Sequence, residues 1–310
     1  MAKYDANRRR RLSPDSPTAR KFDIDALAKI GDGVDEAGNS LIDVGACLSK
    51  INHRLYRQGR CYEAKVTAGN SPTLNLQPSQ VLTVYALAPT WWVYGMWRQA
   101  KRAYDKALAL EKAQLSKPML ARWRDFRVEA GMTNGLTGAV PVEGENPILY
   151  NGQLMSGSFT SGEFNLSKVE NLENGNDMTF TFSPSTASAY KFSMPYEYGL
   201  TRNLSDTPET PITIMPYNEL DANAESADYE ELQTNGNAPP YNGDSFPQHI
   251  WVRVATLQSQ PSGSSTTTSS GYFPAPCGLI LIKNNEGTEV RCEVEVRKGM
   301  YHGVHAPSMG

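Results

Sequence analysis

Apolar positions change their period along the chain. Leu41, Val44, Leu48, Ile51 and Leu55 recur at three- and four-residue steps, the stripe of an amphipathic helix. Ser40 followed by Asp43 reads as its capping box, and Gly59 as its closing residue. Lys50, Arg54 and Arg57 fall in its last two turns, where cations complement the helix dipole. Thr90 reads as the N-cap of a second helical block reaching about Leu115, with Trp97, Ala100, Tyr104, Ala107, Leu108 and Leu115 on one stripe. Ser116 and Pro118 open a shorter helix through Val128, ended by Gly131. A helical insertion is therefore expected over about residues 90–130.

The remainder alternates with a period of two. Tyr62 to Thr67, Val81 to Leu87, Phe164 to Val169, Met178 to Phe182, Tyr190 to Met194, Ile212 to Met215, Ile250 to Leu257, Leu279 to Lys283 and Val290 to Val296 read as strands. Asn284-Asn285-Glu286-Gly287 is expected to join the last two as a tight hairpin. This number of short strands with long connections predicts a mainly β fold, an antiparallel jelly-roll sandwich with an N-terminal amphipathic helix and a helical insertion. Asn218 to Asn242 is polar and acidic, and Ser259 to Gly271 is almost wholly Ser, Thr, Gly, Pro and Gln; both are expected to be exposed loops.

Composition narrows the class. Of 310 residues, 39% are hydrophobic and 20% charged, which excludes a disordered chain and a coiled coil. No apolar run approaches the roughly 18 residues of a membrane helix, so no membrane insertion is expected. No apolar segment follows the basic N-terminus, so no secretory signal is expected. Four scattered Cys do not form a disulfide framework.

Charge changes the picture more. The net charge of −3 hides a first stretch, Met1 to Ala130, with 22 Lys+Arg against 13 Asp+Glu, and a remainder with 8 against 20. Residues 1–38 are expected to form a flexible basic arm, and 39–310 one folded domain. Lys3, Arg8, Arg9, Arg10, Arg11, Arg20 and Lys21 dominate the arm, which has too few apolar residues to offset the entropy of ordering. Consecutive guanidiniums suit phosphate neutralisation without base specificity. Lys50, Arg54, Arg57 and Arg60 are expected to continue that polyanion surface. Trp91, Trp92, Trp97 and Tyr301 are the candidate subunit contacts.

Catalytic chemistry is hard to find. There is no P-loop, no Rossmann fingerprint and no nucleophile elbow. His302 and His305 sit three apart in a Gly- and Pro-containing tail with no further ligand beside them, and the Cys show no C-x-x-C spacing. No enzyme activity, cofactor or metal is expected.

The arm with Arg8-Arg9-Arg10-Arg11 and the terminal pair Gly278-Leu279-Ile280-Leu281-Ile282 and Val290 to Val296, running into Tyr301-His302-Gly303-Val304, resemble the single jelly-roll coat proteins of small circular single-stranded DNA viruses. The resemblance implies a capsid subunit that self-assembles into an icosahedral shell. It implies packaging of a single-stranded genome, a host surface receptor as a further partner, residence in the virion, and assembly in the host nucleus. The arm carries a single tight Arg cluster, shorter than the basic runs of many such coats. Seven cations against two carboxylates in residues 1–21, over about 60 copies, bring on the order of 300 charges to a genome carrying one per nucleotide. The cations at 50–60 are therefore expected to face inward as well. The alternative is a phage head, tail or decoration protein with a β-sandwich fold; a third reading is a carbohydrate-binding or hydrolase sandwich.

Overall fold

A computed structural model describes residues 17–26, 38–69, 76–77, 80–114, 125–130, 166–170, 177–182, 191–200, 250–258, 268–285 and 288–310. The protein is mainly β. One four-stranded antiparallel sheet has the order β1 (Lys21–Ala26), β11 (Val290–Val296), β3 (Cys61–Ala68), β9 (Thr268–Pro276). A second has the order β2 (Gly38–Asp43), β10 (Leu279–Asn284), β4 (Val81–Leu87), β8 (Trp251–Gln258). A small third sheet contains β5 (Lys168–Glu170), β6 (Asp177–Thr181) and β7 (Lys191–Ser193). Helix α1 spans Val44–Asn52, α2 Trp91–Gln114 and α3 Met194–Leu200, and β12 (Lys298–Tyr301) lies near the C-terminus.

The two large sheets share one apolar core. Phe22 and Ile24 of β1, Ala64 and Val66 of β3, and Cys292, Val294 and Val296 of β11 meet Leu82 and Val84 of β4 and Ile280 and Ile282 of β10 there. The other side of the second sheet supplies Leu41, Leu279 and Leu281 to a second cluster with Trp92, Met96, Trp97, Phe126, Phe180 and Tyr198. That sheet is thus covered on both faces. This explains the unbroken apolar run of β10, where Leu279 to Ile282 are all buried, because alternation is needed only where one face meets water. In β11 the alternation persists. Glu293 and Glu295 point away from the core, where Lys21 bonds Glu293 at 2.8 Å, Lys65 bonds Glu295 at 2.8 Å, and Arg297 of the adjoining segment bonds Glu63 at 2.6 Å.

Several expectations need correction. β10 and β11 are consecutive strands, but they lie in different sheets, so the two do not pair as a hairpin. Ser40 to Asp43 belongs to β2, and Asp43 is the N-cap of α1, its carboxylate accepting from the Ala46 N–H at 2.9 Å. Helix α1 stops at His53, which takes a left-handed φ of 49°, well before Gly59. Helix α2 begins one residue after Thr90, as the cap reading predicts, but residues 125–130 are extended: Glu129 bridges Thr181 of β6. Strand β1 lies inside the stretch expected as arm, and β9 begins inside the stretch expected as the Ser/Thr-rich loop. β9 is an edge strand with exposed Ser269, Gly271 and Tyr272, so it lacks the apolar alternation of the interior strands. Ile212 to Met215 and Asn218 to Asn242 lie outside the described residues.

A buried polar knot ties the 125–130 segment to the main body. Asp43 pairs with the Arg127 guanidinium, and Arg127 also reaches Asp125 at 3.5 Å. The Gln58 amide donates to Asp43 and to the Val128 carbonyl at 3.3 Å each, and accepts from the Val128 N–H at 2.7 Å. The Gln58 N–H donates to Asp125 at 2.8 Å. Burial pushes the Asp125 carboxyl up, against the opposing pull of Arg127. Buried charges are tolerated only when paired and bonded in this way.

Candidate nucleic-acid interface

Beyond α1 the chain folds back on the helix. The Ser49 hydroxyl donates to the Gly45 carbonyl at 2.7 Å and accepts from the Tyr56 N–H at 2.7 Å; the Arg54 N–H donates to the Ser49 carbonyl at 3.2 Å. Arg54, Arg57 and Arg60 therefore sit on an irregular loop and not on a helical stripe. Opposite this loop, the chain reverses after β12. His302 (φ 51°) and Gly303 (φ 92°) form the reversal between the bridged residues Tyr301 and Val304, with the paired positive φ values of a type I′ turn.

Loop and turn are stitched together. The Tyr56 hydroxyl donates to the His302 carbonyl at 2.8 Å, and the Arg57 N–H donates to the Tyr301 hydroxyl at 3.1 Å. The Tyr56 ring meets Tyr301 and His302 edge-on at 5.9 and 5.6 Å, and the Tyr301 and His302 rings are 4.4 Å apart. The Arg60 guanidinium lies 3.9 Å over the Tyr301 ring and donates to the Ala306 carbonyl at 3.0 Å. Arg57, exposed, stands 3.8 Å from Asp125. Among the described residues, no hydrogen bond or ion pair engages the Arg54 guanidinium. Burial, reinforced by Arg54, Arg60 and Arg57 in that order, holds the His302 imidazole below its ordinary pKa.

The root of the arm sits on the same corner. The Thr18 hydroxyl donates to the His302 carbonyl at 3.2 Å, and a Cβ on Gly303 would lie 2.4 Å from that hydroxyl. The Asn52 side chain accepts from the Ala19 N–H at 2.8 Å and donates to its carbonyl at 2.9 Å. Of the expected cations, the structure thus brings Arg57 and Arg60 to Tyr301, with Arg54 acting on the neighbouring His302. Lys50 lies in the last turn of α1. Arg20 donates to the Val296 carbonyl at 3.3 Å. Lys21 is exposed but already paired, with Glu293 at 2.8 Å and Glu295 at 3.7 Å. Lys3 and Arg8 to Arg11 lie outside the described residues.

The proposed subunit contacts divide. Trp92 is fully buried and Trp97 is 5% exposed, so both are core residues and neither can touch a neighbouring subunit. Trp97 packs against Gly59, where an added Cβ would come within 2.3 Å of its ring. Trp91 is 52% exposed. Tyr301 is half-buried as the platform under Arg60. Tyr56 and Thr18 carry no signal in the sequence, and His302, considered there only beside His305 as a metal ligand, sits instead in the His-Gly turn.

Among the described residues, no group of three or more His, Cys, Asp or Glu could hold a metal ion, and no helix is long and apolar enough to cross a membrane. No protein-family model, no curated protein and no solved structure matches the chain.

Proposed function

We propose that the chain is a jelly-roll capsid subunit, a structural protein without catalytic activity. In this reading it assembles with copies of itself into an icosahedral shell around a single-stranded nucleic acid. The observation that carries the proposal is the strand pairing. Counted in chain order, the eight strands of the two large sheets pair first with last, second with seventh, third with sixth and fourth with fifth: β1·β11, β2·β10, β3·β9 and β4·β8, all antiparallel. That nested pairing is what folding one long double strand over itself produces, and jelly rolls of this kind recur in viral capsid domains. The long connections then have natural positions. Helix α1 lies between the second and third strands, and α2 with the small sheet lies between the fourth and fifth.

The basic groups support the packaging half of the proposal. Arg54, Arg57 and Arg60 converge beside the root of a segment holding four consecutive arginines, so arm and body offer cations to one polyanion from one corner. Contacts of this sort bind phosphates without reading sequence, and their affinity falls steeply with salt. Trp91 and the half-buried Tyr301 remain the candidates for a contact between subunits.

Size-exclusion chromatography with absorbance at 260 and 280 nm tests the reading. The full chain is expected to elute as large assemblies that retain nucleic acid, released in high salt. A monomer free of nucleic acid at every concentration and ionic strength would overturn it.

A further inference from the structure

The Arg60 guanidinium is held by the Tyr301 ring and the Ala306 carbonyl, so it loses little freedom when it meets an anion, which favours a fixed binding position. The Arg57 N–H bonds the Tyr301 hydroxyl, which fixes the backbone beneath its exposed side chain, and no described residue hydrogen-bonds or pairs with the Arg54 guanidinium. His302 shares this corner. Its carbonyl takes the Tyr56 and Thr18 hydroxyls, while no described residue hydrogen-bonds its ring nitrogens. The groups around the ring are Arg54, Arg57 and Arg60 on the loop, the Tyr56 and Tyr301 rings, and the neutral Thr18 at the arm root. Among the described residues, the buried Asp125 carboxylate stands 3.8 Å from Arg57.

We propose that Arg54, Arg57, Arg60 and His302 form one phosphodiester-binding site, in which docking of a nucleic-acid phosphate is coupled to uptake of a proton by His302. The inference rests on the packaging reading above and assigns its regulation. Without a ligand, partial burial and then the three cations oppose the imidazolium. A docked phosphate offsets part of that repulsion and presents an acceptor, and a solvent proton then adds to a ring nitrogen, which donates to a phosphate oxygen. Linkage makes the effect reciprocal: acidification through the imidazole range tightens the grip.

The test uses the full chain and a fluorescein-labelled oligo-dT 20-mer, titrated at fixed salt between pH 8 and pH 5.5. Wild-type affinity is expected to rise about three- to tenfold as the pH falls. His302→Asn, which tolerates the left-handed backbone, should flatten this dependence. The triple replacement of Arg54, Arg57 and Arg60 by Gln should reduce the salt slope by about two to three, and a chain lacking residues 1–16 should keep the pH dependence. Salt-dependent binding that is flat in pH, or whose pH dependence survives His302→Asn or disappears with residues 1–16, overturns this inference and leaves the packaging reading standing. No binding by any form at any pH overturns the packaging reading itself. Should His302→Asn fail to fold, NMR titration of the wild-type His302 ring decides: its pKa rises when the oligonucleotide is added, and an unchanged value refutes the coupling.

Discussion

The Arg60 guanidinium lies 3.9 Å above the ring of Tyr301, although the two residues are separated by most of the chain. Cation–π contacts of this kind contribute about 0.5–2 kcal/mol depending on how dry they are. The contact also pins the C-terminal turn to the loop after α1. Tyr301→Leu should therefore lower stability by about 1–2 kcal/mol. Tyr301→Phe keeps the ring and loses only the acceptor for the Arg57 N–H, so it should cost less. Urea unfolding of the two variants checks the order, and equal losses would show that the ring is not the anchor.

The knot between Asp43 and Arg127 makes a larger prediction. Asp43 is fully buried and Arg127 is 3% exposed, so removing Arg127 leaves the buried Asp43 carboxylate without its cation, at a cost of about 3–5 kcal/mol, whereas removing Asp43 leaves Arg127 with Asp125 alone. Asp43 also caps α1. Arg127→Met should therefore destabilise strongly, and Asp43→Asn with Arg127→Met together should cost much less than the two singles added. A double-mutant cycle by chemical denaturation measures this, and additivity would contradict it.

Two glycines separate packing from backbone conformation. Gly59→Ala drives a methyl into the Trp97 ring and should cost about 1–3 kcal/mol by overpacking. Gly271 has φ 71° and nothing within 4 Å of an added Cβ. Gly271→Ala should therefore cost only about 1–2 kcal/mol, the penalty for a left-handed Ala. Gly271→Asn should recover part of that loss, while no side chain at 59 recovers the first. Thermal denaturation of the three variants distinguishes the causes.

Acid should weaken the fold through two groups of the same sign. The folded His302 pKa lies below its ordinary 6.5, so its contribution is present at neutral pH and is lost as pH falls from about 6.5 toward the lowered value. Glu295 is held below its ordinary 4.5 chiefly by its hydrogen bond from Lys65, so its contribution is lost at more acid pH, as pH falls through the lowered value. Unfolding midpoints measured from pH 7 down to about pH 2.5 should show His302→Asn losing less stability than wild type in the upper part of the range. Glu295→Gln should lose less than wild type in the lower part. The reverse order would contradict the assignments.

The strands were largely legible because alternation and β-branched runs mark half-buried pleats: Val81–Leu87 and Val290–Val296 match their expected limits. Their partners were not legible. A Gly-ended polar linker of four residues suits a hairpin, and nothing in it tells that its two strands enter different sheets. The discordant clue lay in the strands themselves. Leu279 to Ile282 is continuously apolar while Cys292, Val294 and Val296 alternate with charges, the textures of a sheet covered on two faces and of one covered on a single face.

The basic site was half legible for a similar reason. Lys50, Arg54 and Arg57 follow an apolar stripe at helical spacing, which places them in the last turns of a helix closed by Gly59, with Arg60 just beyond it. The convergence of the arginines depends on a turn at His302 and Gly303 more than 240 residues away, and such a contact leaves no local periodicity. Trp92 and Trp97 were misread because aromatic density marks interfaces and interiors alike. Only the cover formed by Phe126, Phe180 and Tyr198 over the second sheet settles which.

Negative-stain electron microscopy of the purified protein, with and without residues 1–16, decides whether the chain builds a shell around nucleic acid. The full chain is expected to give closed, uniform particles that contain nuclease-protected nucleic acid, and the shortened one empty or incomplete shells. Isolated subunits in every buffer, with no nucleic acid retained by either form, would contradict it.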